Sequence, residues 1–534
     1  METIPLIRVT TAQILKDNAQ KYPEKTAYIF DDRRYSWQET DEITDKVAMY
    51  LIRCGIEKGD HVGFWSVNHI GLVFFLLAAM KIGAVPVVIN YSYRVYELGN
   101  VLRRARVEYF FLGERKKNAD YRAMAEQVLP HCPELKQIRE LLPVLQELPG
   151  MCFSHQERNN LQQKKERVQP DDVACITFTS GTTKVPKPVM LTHYNLINNA
   201  RQFTFRMRVS PENNDVMVAP LPLFHSSGIT GMLYHGLVTA ITAIIHPMFR
   251  VEKALADIVR YRVSVLMAVP SMLEMLAEQA KTGSYDLSSL RVGQSSGSAI
   301  TPERLLQVVS QLGIKHFLMG YGQTECSPLV TTTLYDDDLP KATASAGLPL
   351  PYVQMRIWDC KQQAECEAGQ VGEIQVQGFN VMKGYFDSPE ENQEKFTSDG
   401  WLKTTDLGYV DSEGRLHFVA RSSEIIIRHG ENISPAEIEA VARQFSNEIT
   451  AVKVVGVPEP IVQEEIACLV QTNSEALDLQ ELRQYIKGML ASYKVPKYML
   501  KVTELPMTAT GKIDHAAVKR IAEDYASAQR NENN

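Results

Sequence analysis

Short runs rich in β-branched and aromatic residues alternate with longer amphipathic stretches between about residues 173 and 321. The apolar runs lie at 174–178, 216–219, 243–246, 265–269 and 316–319. A strand, an amphipathic helix and a second strand form the βαβ unit, which builds parallel sheets covered by helices. The pattern therefore predicts stacked βαβ units in this part of the chain.

The first part of the chain carries the same alternation. Ser36 is followed three residues later by Glu39, which is the spacing of a capping box, so a helix is predicted from Ser36 to near Gly55. A strand is predicted to begin at His61. The fold class expected is therefore α/β, with stacked α/β sheets in a large N-terminal domain of several subdomains.

The longest apolar stretch, residues 71–89, is long enough to suggest a membrane span. Lys81, Gly83 and Pro86 interrupt it, so we expect a helix followed by a strand. We therefore predict no integral membrane segment, while peripheral contact with a membrane stays open.

The pattern changes in the last part of the chain. A helix is predicted to begin at Pro435, capped by Ser434 and Glu437. A strand near 451–457, a helix near 479–489 and a polar tail follow. This mixture is typical of a small α+β domain.

This change in the sequence pattern indicates where the two domains divide. We predict a large domain over 1–418 and a small C-terminal domain over 419–534, and roughly 115 residues is a normal domain size. Within the large domain, the segment 156–172 is polar and without periodicity, so it is predicted to be a surface loop between two α/β subdomains.

Composition narrows the class of protein. The chain has 534 residues, of which 45% are apolar and 22% charged, as in globular proteins of several domains. Its net charge of −6 argues against a general nucleic-acid-binding surface. Eight cysteines without a CxxC pair suggest neither a zinc site nor a disulfide framework. Without a secretory signal pattern, a cytoplasmic protein with reduced thiols is expected.

A loop rich in hydroxyl residues follows the apolar run at 174–178. Hydroxyl donors, a glycine that lets backbone N–H groups approach an anion, and a lysine are suited to holding phosphates. The residues concerned are Thr179, Ser180, Gly181, Thr182, Thr183 and Lys187, with Lys184 adding charge. The loop lacks the spacing of a Walker A motif, and an ordinary Ser/Thr-rich surface turn is the alternative.

Two further segments end predicted strands, where open α/β sheets place their ligands. After the run at 316–319 come Thr324, which can donate to a phosphoryl oxygen, and Glu325, which can hold Mg²⁺ between phosphates. After the run at 216–219 comes His225, which is predicted to be a catalytic residue. For the segment with Glu325 the alternative is a turn with an exposed acid, and for His225 it is a packed histidine.

These segments resemble, in their order along the chain, the adenylate-forming acyl-CoA synthetase family. Beside the hydroxyl-rich loop and YGQTE at 321–325, the similar stretches are PLFHSSG at 222–228, SGSAI at 296–300, GEIQVQG at 372–378, MKGYF at 382–386, GWLKTTDLG at 400–408, RSSEIIIRHGENISPAEIE at 421–439 and LPMTATGKI at 505–513. The resemblance implies an enzyme that joins a carboxylic acid to AMP with ATP and Mg²⁺, and then passes the acyl group to a thiol, usually that of coenzyme A.

The resemblance also implies roles for single residues. Lys512 matches the catalytic lysine that bridges the carboxylate and the α-phosphate, Asp406 the acid that binds the ribose hydroxyls, and Arg421 a hinge arginine near the ribose. The adenine slot is implied at Gly297, Ser298, Ala299 and Tyr321, the hinge at Glu424 and the thiol tunnel at Gly430. A small mobile C-terminal domain that closes as a lid over the large one is implied as well.

The sequence departs from the family pattern mainly at glycine positions. Lys184, Pro188, Thr405 and Ala420 stand where glycines are usual. Glu424 replaces the usual hinge Asp, and His515 occupies a place often held by Arg. Pro188 also removes a backbone N–H and fixes φ, so the phosphate loop is expected to be placed differently or to be more rigid.

The leading hypothesis is an AMP-forming acid:CoA ligase acting on a fatty, aromatic or other simple organic acid. Amino acids are less favoured, because the position near Ser226 that pairs with an α-ammonium in amino-acid-activating relatives carries no charge here. One alternative is a stand-alone enzyme that loads the phosphopantetheine of a carrier protein. Another is a nucleotide- or acyl-binding protein without turnover, and a homodimer stays open.

Overall fold

A computed structural model gives the fold and describes residues 3–115, 120–179, 186–297, 300–421, 424–428, 431–459, 463–490, 494–508 and 512–532. The chain divides into unit 1, Met1–Met355 with Val376–Leu402, and unit 2, Arg356–Gln375 with Lys403–Asn534. The boundary predicted at residues 418 and 419 lies inside unit 2. It would cut a strand, since Phe418 pairs with Gly408 in a hairpin of that unit.

The described residues form helices of very different lengths. They are α1 Thr11–Lys21, α2 Trp37–Arg53, α3 Ile70–Lys81, α4 Val95–Arg104, α5 Tyr121–Val128, α6 Leu141–Glu147, α7 His155–Arg167, α8 His193–Arg206, α9 Ser226–Gly228, α10 His235–Thr239, α11 Val251–Tyr261, α12 Pro270–Thr282, α13 Pro302–Gln311, α14 Leu339–Ala344, α15 Pro389–Lys395, α16 Pro435–Gln444, α17 Leu479–Met489 and α18 His515–Glu532. A π-helical segment, Ile229–Tyr234, joins α9 to α10, and Thr324–Cys326 forms a 3₁₀ turn.

Most strands of the described residues are short. They are β1 Thr26–Phe30, β2 Arg33–Ser36, β3 His61–Trp65, β4 Val85–Ile89, β5 Tyr109–Leu112, β6 Gln137–Glu140, β7 Val173–Phe178, β8 Pro188–Thr192, β9 Val216–Val218, β10 Thr242–Ile244, β11 Val265–Met267, β12 Val292–Ser296, β13 His316–Gly322, β14 Leu329–Thr332, β15 Leu348–Pro349, β16 Val353–Asp359, β17 Ala364–Glu365, β18 Gly372–Gly378, β19 Gly384–Tyr385, β20 Leu402–Val410, β21 Leu416–Arg421, β22 Ile426–Arg428, β23 Glu431–Ile433, β24 Ala451–Glu459, β25 Gln463–Gln471 and β26 Tyr498–Val502.

Unit 1 contains two large sheets. Sheet A has the strand order β15-β14-β13-β12-β11-β9-β10-β1-β2, and sheet B the order β19-β8-β7-β4-β3-β5-β6. Helix α8 packs against β8 of sheet B and β14 of sheet A, so the two sheets are stacked with helices between them. The predicted α/β class with stacked sheets is confirmed.

The strands that carry the site run parallel in sheet A. Strands β9, β11, β12 and β13 are neighbours in parallel register. Their carboxyl ends therefore meet at one edge, and the segments that follow them are brought together there.

The predicted elements at the start of the chain are present. Ser36 accepts from the backbone N–H of Glu39 at 3.1 Å and its own N–H donates to the Glu39 carboxylate at 2.8 Å, which completes the capping box of α2. The apolar stretch forms α3 and then β4, as predicted. In the described ranges, none of the helices combines the length and the apolar character that crossing a bilayer requires.

The prediction of a surface loop at 156–172 is wrong, because most of this segment is the helix α7. Ser154 and Glu157 form a capping box at its start, and Gln162 donates to Glu166 one turn further on at 2.8 Å. Leu161 is buried beneath an otherwise polar surface. Caps and pairs four residues apart stabilise a helix that has little apolar periodicity.

Unit 2 contains a sheet in the order β23-β22-β25-β24, with β26 paired to β25. A second sheet, β17-β16-β18-β20-β21, lies mostly in this unit. Helix α16 begins at Pro435 as predicted, but Ser434 makes no side-chain cap. The Glu437 carboxylate binds Lys494 at 2.7 Å instead, and the tail predicted to be polar forms α18.

All eight cysteines are free thiols in the structure. Four of them are buried and two are exposed. Burial raises the pKa of the Cys175 thiol to about 12, which makes it unreactive at neutral pH.

Candidate active site

The carboxyl ends of β12 and β13 bring two residues of the predicted adenine slot to one edge of sheet A. Ser296 pairs with Gly320 across these strands, so Gly297 and Tyr321 follow at the same level. Gly297 has φ +89°, a conformation that glycine adopts without strain, and Tyr321 is 7% exposed. Ser298 and Ala299, predicted for the same slot, lie outside the described residues.

The predicted metal-binding segment forms a buried turn at the end of β13. Thr324 and Glu325 are 7% and 6% exposed, so the alternative of a turn with an exposed acid does not hold. Ser226 Oγ donates to Thr324 Oγ1 at 3.3 Å, and Thr230 Oγ1 donates to the carbonyl of Ser327 at 2.8 Å. The turn is thereby fixed to the segment that follows β9.

His225 lies at the start of α9. Its Nδ1 accepts the backbone N–H of Ser227 at 3.2 Å and lies 2.8 Å from the Ser227 hydroxyl. These contacts cap a short helix and fix the orientation of the ring. The side chain is half-buried at the sheet edge that also carries Thr324.

The phosphate loop joins β7 to β8 of sheet B. The N–H of Thr179 donates to the carbonyl of Lys187 at 3.2 Å, and the N–H of Lys187 donates to Thr179 Oγ1 at 3.2 Å, which closes the base of the loop. Pro188 starts β8 opposite Phe178, a position that proline tolerates in a strand. The predicted phosphate-binding residues Ser180, Gly181, Thr182 and Thr183, with Lys184, lie outside the described residues.

Strand β19 connects the predicted phosphate loop to the turn predicted to bind a metal ion. Tyr385 pairs with Val189 of β8, and the N–H of Met382 donates to the carbonyl of Glu325 at 2.8 Å. The Tyr385 hydroxyl donates to Glu325 Oε1 at 2.6 Å. Burial and the negative charge of Glu325 raise the pKa of Tyr385, so its phenol remains a proton donor at neutral pH.

Helix α15 adds two charged contacts to this arrangement, one through Glu391 and one through Lys395. Lys187 Nζ lies 3.6 Å from Glu391 Oε1 and 5.0 Å from the centroid of the Tyr385 ring. Lys395 Nζ lies 3.9 Å from Glu325 Oε1. Sequence reasoning recognised the MKGYF segment but gave no role to Tyr385, Glu391 or Lys395.

A second cation holds Glu391 from the other side. Arg104 of α4 binds Glu391 Oε2 at 2.9 Å. Although burial acts to raise it, the pKa of Glu391 is lowered by a hydrogen bond from Ser388 and by the charges of Arg104 and Lys187. Glu391 is therefore an anion in the resting site.

The donors present suit Mg²⁺ held mainly by substrate. In the described portion of the chain no group of three or more His, Cys, Asp or Glu side chains could hold a metal ion. Mg²⁺ is commonly bound by one or two carboxylates together with water and nucleotide phosphates. Glu325, a buried carboxylate at the sheet edge, fits that role.

Unit 2 brings together the residues predicted to bind the ribose. Asp406 on β20 pairs with Arg421 on β21, and Arg421 Nε lies 3.7 Å from Asp406 Oδ1. The Thr404 hydroxyl donates to the carbonyl of Ile374 at 2.6 Å and accepts the N–H of Asp406 at 3.1 Å. Thr405, which replaces a glycine of the family pattern, has φ +63° and is therefore strained.

Lys512 lies close enough to Arg421 and Asp406 for their charges to affect its pKa. The N–H of Thr508 donates to the carbonyl of Lys512 at 2.6 Å, and the N–H of Lys512 donates to Thr508 Oγ1 at 3.2 Å. Burial, and then the positive charge of Arg421, lower the pKa of Lys512 to about 8, while Asp406 opposes the shift. The ammonium is therefore mostly protonated at pH 7 and loses its proton as the pH rises through 8.

The predicted hinge residue is half-buried among charged side chains. Glu424 Oε1 lies 3.5 Å from Nε2 of His515, the residue that stands in place of an arginine. Burial raises the pKa of Glu424, and burial together with Lys453 and Arg421 lowers the pKa of His515 to about 3. The imidazole is neutral at physiological pH, so this contact is not a salt bridge. Gly430, predicted for the thiol tunnel, lies outside the described residues.

Two protein-family models match different parts of the chain. The family model described as AMP-binding enzyme matches residues 15–386, and the model of the AMP-binding enzyme C-terminal domain matches residues 437–512. The chain is 32% identical over 533 residues to YngI of Bacillus subtilis (strain 168), a protein named as an acyl-CoA synthetase, with 95% of this chain and 96% of that one covered.

Two further relatives are similar along most of their length. The mitochondrial medium-chain acyl-CoA ligase ACSF2 of Bos taurus is 30% identical over 542 residues, covering 97% of this chain and 88% of that protein. The structure of the o-succinylbenzoate coenzyme A synthetase MenE from Bacillus subtilis in complex with ATP and magnesium ion matches with a TM-score of 0.81 and 27% identity. It covers 97% of this chain and 100% of that one.

Proposed function

The chain belongs to the AMP-binding enzyme family of adenylate-forming acyl-CoA synthetases, and on that premise we propose that it is an AMP-forming acid:CoA ligase. It activates a carboxylic acid with ATP to an acyl adenylate, releasing pyrophosphate. The thiol of coenzyme A then takes the acyl group and AMP leaves.

The observation that carries the proposal is the buried Glu325 at the carboxyl end of β13. A carboxylate taken out of water is costly unless cations compensate it. Glu325 accepts a hydrogen bond from the Tyr385 hydroxyl and lies near Lys395, while Lys187 lies over the face of the Tyr385 ring. Such alternation of anion and cations is suited to binding a metal-chelated triphosphate.

Attack of one anion on another requires positive charge and N–H donors around the α-phosphorus. Lys187 supplies charge from unit 1, next to the base of the phosphate loop. In unit 2, Lys512 has the role of neutralising the carboxylate and α-phosphate during adenylation, and Asp406 accepts the ribose hydroxyls. Mg²⁺ held by Glu325 would neutralise charge on the phosphates.

The acid that we propose has an uncharged, mainly apolar acyl group, with medium-chain fatty acids as the first candidates because ACSF2 is named for them. Ser226 is fully buried and bonded to Thr324, so this position offers no partner to an α-ammonium group. The π-helical segment Ile229–Tyr234 beyond it contains no charged residue. Aromatic and other simple organic acids remain in the proposal.

The test is acid-dependent exchange of labelled pyrophosphate into ATP over a panel of fatty, aromatic and amino acids, followed by acyl-CoA formation with CoA. We expect exchange with apolar acids and thioester formation with CoA in preference to a holo carrier protein. Exchange without CoA transfer would instead favour the carrier-loading enzyme.

Glu325→Gln is expected to lower exchange by about a hundredfold or more, since it removes a charged ligand of the metal. Glu274→Gln is the matched control, because Glu274 forms an ion pair with Arg304 on the surface of the same unit at 2.8 Å. Wild-type protein that binds ATP but shows no exchange with any acid would refute the ligase and favour a binding protein.

A further inference from the structure

Tyr385 lies between the cation of the phosphate loop and the carboxylate of the predicted metal site. The side chain is 2% exposed. Its ring faces the Lys187 ammonium at 5.0 Å, and its hydroxyl donates to Glu325 Oε1 at 2.6 Å. One rigid side chain therefore contacts both groups that the proposed function assigns to the triphosphate and its metal.

Helix α15 fixes the backbone of Tyr385. The N–H of Tyr385 donates to Asn392 Oδ1 at 2.7 Å, and Asn392 Nδ2 donates to the carbonyl of Tyr385 at 2.8 Å. The approach is close, because a Cβ placed on Gly384 would lie 3.1 Å from Asn392 Oδ1, and Gly384 has φ +136°. Both the backbone and the side chain of Tyr385 are thereby held.

The same helix holds the two charged groups. Glu391, anchored by Arg104 at 2.9 Å, lies 3.6 Å from Lys187. Lys395, one turn further on, lies 3.9 Å from Glu325. Side chains four residues apart face the same side of a helix, so Glu391 and Lys395 both face the site.

We propose that Tyr385 is a positioning residue, held by α15, that sets the distance and orientation between Lys187 and Glu325 for the magnesium complex of ATP. The inference rests on the proposed function. Its hydroxyl donates to Oε1 of Glu325 and so fixes the orientation of the carboxylate that would hold the cation. Its ring and Glu391 hold the Lys187 ammonium in one position before the nucleotide binds. Less conformational entropy is therefore lost on binding.

The hydroxyl and the ring can be separated by mutation. Tyr385→Phe removes only the hydroxyl and is expected to raise the dissociation constant of Mn²⁺, the probe for Mg²⁺, about tenfold in the ATP complex. The affinity for ATP at saturating metal is expected to stay within about twofold, since the ring remains under Lys187. Tyr385→Leu is expected to weaken the binding of both Mn²⁺ and ATP. Glu391→Gln is expected to weaken ATP binding about threefold without changing the affinity for Mn²⁺.

Mn²⁺ binding is measured by electron paramagnetic resonance in the presence of ATP and absence of acid, and ATP binding by calorimetry. Tyr261→Phe is the matched control, because Tyr261 donates to Asp32 Oδ1 at 2.7 Å on the surface of the same unit. The Tyr261→Phe substitution is expected to leave the dissociation constants of Mn²⁺ and ATP unchanged. Urea unfolding of each variant identifies any loss of the fold, and Glu391→Gln tests the Lys187 contact even if Tyr385 variants are unstable.

Wild-type Mn²⁺ affinity in folded Tyr385→Phe would overturn the inference while leaving the ligase proposal intact. The inference would also be overturned if Tyr385→Phe and Glu391→Gln each weakened the binding of Mn²⁺ and of ATP equally. That is the result expected from general damage to the site. If wild type binds Mn²⁺ and ATP but exchanges no pyrophosphate, the proposed function fails and the positioning role stands. Absence of Mn²⁺ binding by the wild-type ATP complex would overturn both.

Discussion

The lowered pKa of Lys512 predicts an unusual alkaline limit for the first half-reaction. A lysine is charged below its pKa, and the proposed role of Lys512 requires the charged form. Burial and the neighbouring Arg421 bring the pKa from 10.5 to about 8. Adenylation should therefore be fully supported near pH 7 and should be lost as the pH rises through 8.

The size of the effect follows from the fraction of ammonium. With a pKa of about 8, roughly 90% of Lys512 is protonated at pH 7 and about 10% at pH 9, so kcat/KM for ATP should fall about tenfold between them. A lysine at its ordinary pKa of 10.5 would lose only about 3% over that interval. Arg421→Gln, which removes a neighbouring positive charge, should move the limit to higher pH.

The assay is the pH profile of kcat/KM for ATP in acid-dependent pyrophosphate exchange, because this quantity reports the pKa values of the free enzyme. Lys512→Arg is the control, since a guanidinium stays charged throughout the range. Its profile should be flat whatever its absolute rate. Lys512→Ala should cripple adenylate formation while leaving thioester formation from added acyl adenylate comparatively intact.

Three results would contradict this reasoning. A wild-type profile that is flat to pH 9 would show that Lys512 keeps its ordinary pKa or is not needed in charged form. A tenfold fall in Lys512→Arg would show that another group titrates. Equal loss of both half-reactions in Lys512→Ala would contradict the role in adenylation.

Other predictions concern strain, nucleotide recognition and thiols. Thr405→Gly should raise the free energy of unfolding by about 1 kcal/mol, because a threonine at φ +63° is strained; urea denaturation checks this, and Thr405→Ala, which keeps a Cβ, should not match the gain. Asp406→Ala should weaken ATP about tenfold, and calorimetry should show that the variant no longer distinguishes ATP from 2′,3′-dideoxy-ATP. In folded protein, iodoacetamide should modify the exposed Cys152 and Cys360 but not the buried Cys175, as mass spectrometry would show; modification of Cys175 without denaturant would contradict its burial.

The sequence predicted those elements whose cause is local. The capping box of Ser36 and the breaks at Lys81, Gly83 and Pro86 lie within a few residues of what they determine, and α2, α3 and β4 are present where expected. Helix α7 was not predicted, because it is stabilised by a cap and polar pairs rather than by an apolar stripe. For α16 a cap was predicted that Ser434 does not make.

In the candidate site, too, the local motifs are predictable from the sequence and the long-range contacts are not. Glu325 and Lys187 belong to short motifs whose residue types indicate phosphate and metal chemistry. Their contacts with Tyr385 and Glu391 join positions 60 and about 200 residues apart along the chain, and periodicity within a segment contains no information on such pairs. The pairing of β19 with β8 and the hydrogen bond from Met382 to Glu325 bring them together.

The stability of the ligand-free site and its readiness for nucleotide have one physical origin. A buried carboxylate such as Glu325 needs a donor and a nearby cation to remain charged. Tyr385 of β19, which pairs with β8, provides the donor, and Lys395 of α15 provides the cation. Because Tyr385 also faces Lys187, the contact that compensates the buried anion fixes the position of the phosphate-binding cation. A hydroxyl deletion at Tyr385 should therefore lower both metal affinity and the stability of unit 1, whereas the ring alone should preserve the position of Lys187.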